Sequence, residues 1–443
     1  MNNIKLPADD NSCGWFEILS PEYQQHMSEP NPISGVEKTD WLVIGGGFVG
    51  MSATHRLAEL NPEQRIVLVD AQKIGHGTSG RNSGFVIDLP HKSDLVGDDI
   101  ERKRKVIELN RAAIQYLEDK IMRHGIECQW SHAGKLQGAV SERGVKFLEH
   151  FQRLLKELGE PHEMLDQASL RKVVGTQYYQ QALYTPGCPL MQPAALIRGL
   201  LAHVPENVSV WEETPILNLE RRNGTWVAQT ANGQVHAKNV ILGTNIYTEQ
   251  FGHMKSRMLP IMTFASMTRP LTDEEFSAYG GTADWGLTPA DHAGTTLRMT
   301  QDRRLVVRNQ YRFVPNYNSD LATREKIHVM HRESLEARYP MLKAVTFEHT
   351  WGGVLSLSSN SQAFFGELEP GLFSSCCHNG VGVARGTISG KLLAEMASGG
   401  DSKLQQNMQA VSGMPARLPP EPFLGIGVRA RMAFAKWQSR SEV

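Results

Sequence analysis

Residues 39–50, TDWLVIGGGFVG, decide the fold of this chain. An apolar run at 41–44 leads into three glycines with the spacing Gly-x-Gly-x-x-Gly, and residues 51–60 then have helical character. This order predicts a buried strand, a tight turn and a helix. The three glycines are Gly45, Gly47 and Gly50.

Each glycine has a physical role in such a turn. The first permits the bend, the second leaves room for a pyrophosphate, and the third lets helix and strand pack closely. The helix directs free N–H groups and the positive end of its dipole at the phosphates. A second strand at 65–69 ends in Asp70, whose carboxylate is suited to accept hydrogen bonds from a ribose. A plain glycine turn is the alternative for the motif alone, but the full order predicts a dinucleotide cradle, to which Phe48, Val49 and Ala71 also belong.

Composition limits what this cradle can belong to. A chain of 443 residues suggests two domains. Its 46 basic and 47 acidic residues give no indication of a nucleic-acid or polyanionic partner. No apolar run approaches the roughly 20 residues that span a bilayer, so we expect a soluble or at most peripheral protein.

The five cysteines show neither a disulfide framework nor metal-ligand spacing. We therefore expect no metal site and a reducing, cytoplasmic location. Cys376 and Cys377 are adjacent and could form a redox pair. Neighbours on a strand point to opposite faces, however, which favours two small buried residues.

A second informative stretch, GHGTSGRNSGFVIDLPH at 75–91, follows the second strand. Its small residues cannot build a core, whereas its hydroxyl, amide and guanidinium groups suit a loop around a polar ligand. A solvated glycine loop is the alternative. The candidate ligand-binding residues are Thr78, Ser79, Arg81, Asn82, Ser83 and Gly84.

The cradle, Asp70 and the loop at 77–84 resemble the D-amino-acid oxidase superfamily of FAD-dependent amine oxidoreductases. The form RNSGFVIDLPH, with CGWF upstream, is most similar to bacterial enzymes of the gamma-glutamylputrescine oxidase and L-pipecolate oxidase type. The resemblance runs from about residue 40 to about residue 399. It implies an α/β fold, in which a Rossmann-like, glutathione-reductase-like FAD-binding domain is interleaved with an α+β substrate domain built on a mostly antiparallel sheet.

We expect a corresponding division of the chain. An irregular arm on the surface, pinned by Trp15 and Phe16, would occupy residues 1–38, and a long amphipathic helix would cover 98–124. The FAD-binding domain would comprise 39–90, 185–252 and 345–405. The substrate domain would comprise 91–184 and 253–344, and a tail with a helix would follow at 406–443.

The resemblance implies further cofactor contacts. The strand at 239–242 ends in a small turn that would close over the FAD, and a simple sheet edge is the alternative. The glycine bend near 380 precedes a helix at 388–397, whose dipole would face the flavin. Val381 stands where sarcosine-oxidase-like members keep a histidine, and LSLSSN at 355–360 lacks the cysteine that binds flavin covalently in some members. We therefore expect non-covalent FAD. The implied residues are Ile216, Gly243, Thr244, Asn245, Gly380, Val381, Gly382, Val383, Ala384 and Thr387.

The sequence gives fewer indications of the substrate-binding residues than of the cofactor-binding residues. The strand, turn, strand unit at 295–313 would line the substrate cavity, and its candidate residues are Arg298, Arg308, Tyr311 and Arg312. An arginine can hold a carboxylate as a bidentate fork, although arginine on an exposed strand is usually solvated. Arg385 could meet a substrate carboxylate or carry surface charge.

The implied activity is oxidation of the C–N bond of a small amino acid or amine, such as L-pipecolate, gamma-glutamylputrescine or a glycine- or sarcosine-like compound. Hydride transfer to flavin leaves an imine that hydrolyses. A lysine that activates oxygen in some members has no clear counterpart, so oxygen and a quinone or other electron carrier both stay open as acceptors.

Two other classes remain as alternatives: an NAD(P)-linked reductase and a non-catalytic flavoprotein subunit. The absence of a second glycine fingerprint speaks against the reductase. The C-terminal helix at 428–438 is basic, and it could lie on the inner face of a membrane or dock on the domain.

Overall fold

A computed structural model describes the chain from residue 5 to residue 442, apart from residues 26, 28, 30, 96, 98, 292, 440 and 441. The first four residues of the predicted arm and the predicted start of the long helix at residue 98 lie outside the described residues.

The strands are β1 (Gly35–Ile44), β2 (Ile66–Val69), β3 (Lys135–Ala139), β4 (Glu163–Asp166), β5 (Gln181–Thr185), β6 (Val208–Trp211), β7 (Asn218–Arg222), β8 (Thr225–Gln229), β9 (Gly233–Leu242), β10 (Leu259–Thr268), β11 (Trp285–Pro289), β12 (Thr296–Met299), β13 (Leu305–Phe313), β14 (Phe347–Leu357), β15 (Phe364–Glu369) and β16 (Leu372–Cys376).

The α-helices are α1 (Gly14–Glu17), α2 (Pro21–Gln24), α3 (Phe48–Leu60), α4 (Thr78–Arg81), α5 (Ile100–His124), α6 (Glu142–Leu158), α7 (Gln167–Val174), α8 (Pro193–Ala202), α9 (Asp273–Tyr279), α10 (Leu321–Arg338), α11 (Gly382–Ala397), α12 (Lys403–Val411) and α13 (Phe423–Gln438). Short 3-10 helices lie at Lys92–Leu95, Asn245–Phe251 and Pro340–Leu342.

The first sheet is built around β1. Its strand order is β15, β16, β9, β1, β2, β6, and the five strands from β16 to β6 are parallel. Leu42 and Val43 are fully buried, as expected for a parallel sheet covered on both faces. β1 starts six residues earlier than the predicted strand at 41–44, because residues 35–39 also pair with β9. The β7–β8 hairpin continues the sheet from β9.

Two helices cross on this sheet at very short range. A Cβ on Gly50 of α3 would lie 1.8 Å from the carbonyl oxygen of Gly45, and one on Gly390 of α11 would lie 2.0 Å from the carbonyl oxygen of Val49. Only glycine therefore permits these two approaches. The crossing fixes the start of α3 relative to both β1 and α11.

The second sheet has the order β14, β10, β13, β12, β11, β3, β5, β4. Every neighbouring pair is antiparallel except β11 with β3. The expected α/β fold with a parallel dinucleotide-binding sheet and a mostly antiparallel second sheet is thereby confirmed. One detail of the division is wrong: β14 falls within the stretch 345–405 assigned to the first domain, yet it pairs along its length with β10.

The N-terminal arm is more ordered than predicted. It contains α1 and α2, and Trp15 is fully buried, with its ring centroid 6.2 Å from that of Trp351. The indole Nε1–H of Trp15 donates to the carbonyl of Asn82 at 2.9 Å. The part of the arm around α1 is therefore pinned by Trp15 between the glycine-rich loop and β14, as predicted, whereas most of the described residues on either side of α1 and α2 are irregular and at least partly exposed.

Candidate active site

One cavity of about 1240 Å³ runs from the carboxyl ends of the parallel strands to the wall formed by β10, β13 and β14. Parallel strands of this kind place their binding crevice at these ends. The turns after β1, β2, β9 and β16 all contribute lining residues. The cavity therefore joins the N-terminal glycine turn to the glycine bend near residue 380.

The glycine turn has the backbone that its sequence predicts. Gly45 has φ +96°, in the left-handed region, and a Cβ there would meet the backbone of Gly243 at 3.0 Å. α3 begins at Phe48, and the backbone N–H of Phe48 donates to Ser79 Oγ at 3.1 Å. The start of α3 thus opens into the cavity beside the second predicted stretch.

Asp70 lies at the end of β2 and holds the glycine turn. Its carboxylate accepts from the backbone N–H of Gly46 at 2.7 Å and from that of Gln72 at 2.9 Å. Burial raises the pKa of the Asp70 carboxyl to about 6, against the opposing effect of these two hydrogen bonds. Because each carboxylate oxygen can accept more than one bond, the residue can still accept from a hydroxyl in the cavity.

The loop after β2 is folded against the arm, which argues against a solvated glycine loop. Arg81 donates to the carbonyl of Gly352 at 3.1 Å, to Asp9 at 2.6 Å and to Asp10 at 2.9 Å. Asp10 also pairs with Arg324 of α10 at 3.1 Å. Arg81 lines the cavity, but its guanidinium is already engaged by two carboxylates of the arm.

Two turns of the first sheet are tied together at the far side of the cavity. Asn245 Oδ1 accepts from the backbone N–H of Cys377 at 3.0 Å. Asn245, Cys377 and Asn379 all have positive φ, and Gly380 follows with φ +87°. The left-handed conformation is costly for residues other than glycine, and such strain is typical of functional sites.

The helix after this bend begins earlier than predicted. α11 starts at Gly382, not at 388, and Val381, Gly382, Val383 and Ala384 line the cavity at its first turn. Thr387 is consequently in the second turn, fully buried and away from the cavity lining. The predicted role of Thr387 at the helix start is therefore wrong.

His378 precedes the bend and was not among the predicted site residues. It lines the cavity, is 6% exposed, and neither ring nitrogen has a hydrogen-bond partner among the described residues. Burial lowers the pKa of this imidazole to about 3, with help from the charge of Arg385. A neutral imidazole is therefore available to a ligand. A single histidine beside a glycine bend gives little signal in a sequence.

A β-bulge brings Arg308 and Tyr311 to one side of β13. Tyr311 pairs with Thr263 and Asn309 with Phe264, which leaves Gln310, at φ +56°, as the extra residue. Residues three apart on a regular strand face opposite sides, but the bulge restores a common face. The Arg308 guanidinium donates to the Tyr311 hydroxyl at 2.9 Å, and both residues line the cavity.

Arg385 serves neither of the two roles predicted for it. Its guanidinium pairs with Asp94 at 3.0 Å, both side chains are below 10% exposed, and Arg385 does not line the cavity. Arg298 is also outside the lining and fully buried, and its guanidinium donates to backbone carbonyls including that of Met191. A Cβ on Gly84 would meet this guanidinium at 1.8 Å, so Gly84 makes room for Arg298.

The C-terminal helix closes one side of the cavity. The lining residues of α13 are Val428, Arg431, Met432, Ala433, Ala435 and Lys436, and all except Ala433 are at spacings that form one helical face. Glu442, which follows the helix, accepts hydrogen bonds from the backbone N–H groups of Val140 and Ser141. The outer face exposes large apolar side chains, namely Phe423, Ile426, Phe434 and Trp437. Within the described part of the chain, no helix is long and apolar enough to cross a membrane.

The structure brings most of the predicted residues together. Gly50, Gly84, Arg298, Arg385 and Thr387 are the predicted residues that do not line the cavity. Those that do are Gly45, Gly47, Phe48, Val49, Asp70, Ala71, Thr78, Ser79, Arg81, Asn82, Ser83, Ile216, Gly243, Thr244, Asn245, Arg308, Tyr311, Arg312, Gly380, Val381, Gly382, Val383 and Ala384.

The cavity suits a dinucleotide attached to a further ring system. The starts of α3 and α11 both open into it, and neither helix has an acidic residue in its first turn. Helix starts without acidic side chains favour an anionic ligand. A Cβ on Gly382 would meet no protein atom within 4 Å, so space is left for a group beside α11. The residues present therefore fit FAD.

Comparison with known proteins assigns the class. Residues 40–396 match the family model DAO, described as FAD dependent oxidoreductase, and the chain belongs to this family. It is 25% identical over 415 residues to a probable oxidoreductase OrdL of Haemophilus influenzae, with 90% of this chain and 92% of that protein covered. It is also 25% identical over 396 residues to the gamma-glutamylputrescine oxidoreductase of Escherichia coli, with 87% and 88% covered.

The fold is shared with a solved structure of the family. Glycine oxidase from Geobacillus kaustophilus superimposes with a TM-score of 0.71, at 16% identity, and 87% of this chain and all of that chain are covered. The predicted family and its FAD dependence are confirmed. The chain is an FAD-dependent oxidoreductase of a family that acts on amines or amino acids.

Proposed function

We propose that this protein oxidises the C–N bond of a small amino acid or amine, giving an imine that water hydrolyses. The observation that carries the proposal is the single cavity that runs from the glycine turn of β1 to the Arg308–Tyr311 pair. When bound, FAD supplies the acceptor for the hydride that leaves the substrate carbon.

The cavity is suited to hold an amine in its unprotonated form. Asp10 and Asp70 are the only acidic residues among the described lining residues, and both are already engaged, Asp10 by Arg81 and Arg324 and Asp70 by backbone N–H groups of the glycine turn. A substrate nitrogen near Arg308 would therefore meet no compensating carboxylate. Burial and nearby positive charge both lower the pKa of an amine, so the nitrogen lone pair is available without a strong protein base.

Arg308 and Tyr311 are the proposed anchors of a substrate carboxylate. The guanidinium offers several donors in a fixed plane, and its bond to the Tyr311 hydroxyl restricts its orientation. Thr296 Oγ1 accepts from the same guanidinium at 3.3 Å. L-Pipecolate, a gamma-glutamylated amine and a glycine- or sarcosine-like compound are the candidate substrates, and the names of the relatives above support the last two.

We propose that FAD is held without a covalent bond. The segment at 355–360 has no cysteine, and none of the five cysteines lines the cavity. All five are buried and free, and burial raises the pKa of each thiol. Raised thiol pKa values make these groups poor nucleophiles. Heat or acid should therefore release the flavin into the supernatant.

The test begins with the purified protein. A visible flavin spectrum, lost on denaturation and filtration, is expected, and a colourless protein would overturn the proposal. An anaerobic panel of amino acids and amines is then scored by bleaching of the visible band. A flavin that no member of a broad panel bleaches would favour a non-catalytic subunit instead.

The anchor residues are tested separately. Arg308→Leu should raise KM for a carboxylate-bearing substrate by about a hundredfold, since a buried charge-assisted contact contributes about 2 to 3 kcal/mol. Arg303→Leu is a matched control, because Arg303 pairs with Asp273 at 2.6 Å and does not line the cavity. Equal losses in both variants would remove Arg308 from the substrate site.

We propose two alternative acceptors, oxygen and a quinone or other electron carrier. The exposed outer face of α13, with Phe423, Phe434 and Trp437, favours contact with a membrane surface for the second. Peroxide formation in air, measured against quinone reduction in the presence of anionic vesicles, distinguishes them. If turnover produces stoichiometric peroxide and its rate is unchanged by vesicles, a quinone or other electron carrier is excluded as the acceptor.

A further inference from the structure

The end of the cavity beneath α13 is lined by cations. Arg431 and Lys436 of α13 and Arg312 of β13 line this end and are all exposed to solvent, and Arg308 lies further along the same wall. Among the described residues, neither Arg431 nor Lys436 forms an ion pair with a carboxylate. Arg312 influences Asp320 electrostatically, so the argument below depends on the two cations of α13.

α13 packs against β13 and brings one of these charges, that of Lys436, to the bulge. Lys436 Nζ donates to Gln310 Oε1 at 3.3 Å, and Gln310 is the bulge residue between Arg308 and Tyr311. Arg429 is seven residues before Lys436 and so on nearly the same side of the helix, but its guanidinium lies 5.7 Å from the ring centroid of Phe313 and outside the cavity lining. Two of the three cations of the helix therefore line the cavity, and the third lies over Phe313.

The negative charges of the cavity lie elsewhere. Asp70 is held by backbone N–H groups of the glycine turn, and Asp10 is paired with Arg81 and Arg324. At the solvent-facing mouth beneath α13, a lining of one sign of charge raises the local concentration of ions of the opposite sign. The geometry near α13 therefore favours an anionic group on the ligand, in addition to any group that Arg308 holds.

We propose that the substrate carries a second carboxylate, remote from the reacting amine, which Arg431 and Lys436 bind beneath α13. The substrate class is then a dicarboxylic amino acid, including one with a carboxyalkyl group on nitrogen. This inference rests on the proposed function, and it adds that α13 selects the substrate as well as covering it. A simple amine or an amino acid with one carboxylate lacks a group for these two cations.

Non-reacting acids test the inference on the flavin-loaded protein. Glutarate has two carboxylates, and pentanoate has the same chain length with one. Binding is measured as perturbation of the visible flavin band, which does not require turnover. Glutarate should bind at least about tenfold more tightly than pentanoate at low salt, and the difference should shrink as salt is added. Equal affinities for the two acids would overturn the proposal.

Variants locate the effect on the helix. Arg431→Ala combined with Lys436→Ala should weaken glutarate binding by about tenfold and leave pentanoate binding unchanged. Arg429→Ala removes a charge from the same helix outside the cavity and should bind both acids as the parent does. If Arg429→Ala weakens glutarate as much as the double variant, the effect is general attraction and the proposed site is wrong.

The outcome is separable from that of the proposed function. If monocarboxylic amino acids bleach the flavin as fast as dicarboxylic ones and glutarate shows no advantage, the oxidase or dehydrogenase assignment stands and the second carboxylate site is wrong. If glutarate discriminates as expected while no amine bleaches the flavin, the binding site stands and the proposed reaction is wrong.

Discussion

The side chain of Asn245 accepts a hydrogen bond from the backbone N–H of Cys377, with 3.0 Å between Oδ1 and N. The two residues are 132 positions apart, at the ends of β9 and β16. Both have positive φ, so each turn is strained and each holds the other. This bond fixes the far wall of the cavity relative to the glycine bend before α11.

Replacing Asn245 by Ala should therefore loosen both turns. The buried N–H of Cys377 would lose its acceptor, at a cost of about 1 to 3 kcal/mol in the free energy of unfolding, and FAD affinity should fall by about tenfold. Urea denaturation and flavin titration measure the two effects. Asn316→Ala, at an exposed turn residue, is the control, and an unchanged FAD affinity in Asn245→Ala would contradict the prediction.

Gly382 offers a test of where the flavin lies. Since an added Cβ meets no protein atom within 4 Å, Gly382→Val should leave the stability of the apoprotein within about 1 kcal/mol of the parent. FAD binding should nevertheless fall by at least about tenfold, because the side chain enters space that the cofactor would need. Gly427→Val, at a glycine of α13 with equally open surroundings, is the matched control for valine in a helix. Normal FAD loading in Gly382→Val would place the ring system elsewhere.

Asp70 should give the apoprotein a specific pH dependence. Its pKa is raised by burial to about 6, above the value of about 3.9 for an unfolded chain. The folded state thus takes up the proton more readily, so the stability due to this group is fully present below about pH 4 and is lost as pH rises through about 6. Relative to Asp70→Asn, the parent should lose at most about 3 kcal/mol over this range.

Denaturation of both apoproteins by urea, at several pH values between about 4 and 7, measures that difference. A parent and variant with the same pH profile would remove Asp70 as its source. Separately, Asp70→Ala should retain less FAD through purification, and full retention would show that the carboxylate does not bind the ribose.

Glu442 anchors the end of α13. Its carboxylate accepts from the backbone N–H groups of Val140 and Ser141 at 3.1 Å each and from Ser141 Oγ at 2.9 Å. Its carbonyl accepts from Arg338 at 3.0 Å and from the backbone N–H of Thr295 at 2.9 Å. Glu442→Ala should destabilise the fold by about 2 to 3 kcal/mol and free the helix, whereas Glu442→Gln keeps an acceptor and should lose less.

Limited digestion with trypsin reports on the helix directly. Arg431 and Lys436 lie in α13, so cleavage there should be faster in Glu442→Ala than in Glu442→Gln or the parent. Equal cleavage rates in all three proteins would mean that α13 is held by its contacts with β13 alone.

The sequence predicted the elements whose causes are local. Three features lie within 32 residues of one another: the strand before Gly45, the helix after it and the acid at position 70. They follow from an apolar run, a glycine spacing and a chain reversal, all of which are visible in the local sequence. The lining of the cavity by both glycine regions was also expected. These features depend on short-range patterns and on the carboxyl-end rule for parallel strands.

The predictions that the structure contradicts depend on long-range contacts or on single residues. Arg385 is neutralised by Asp94, 291 positions away, and no local pattern shows such a partner. The start of α11 was predicted too late because its first turns contain Gly382 and Gly386, and glycine has low helix propensity. Packing of these turns against α3 outweighs that low propensity. β14 has strand character, but only its pairing with β10 assigns it to the second sheet.

The extra residue at Gln310 makes any comparison of the cavity wall between relatives depend on residue count as well as on residue identity. In a relative without that one residue, the arginine and the tyrosine would be two positions apart on a regular strand and would still share a sheet face. Alignments of relatives that slide a gap by one place through this strand would therefore compare inward-pointing side chains with outward-pointing ones, and would misjudge which members of the family keep the anchor.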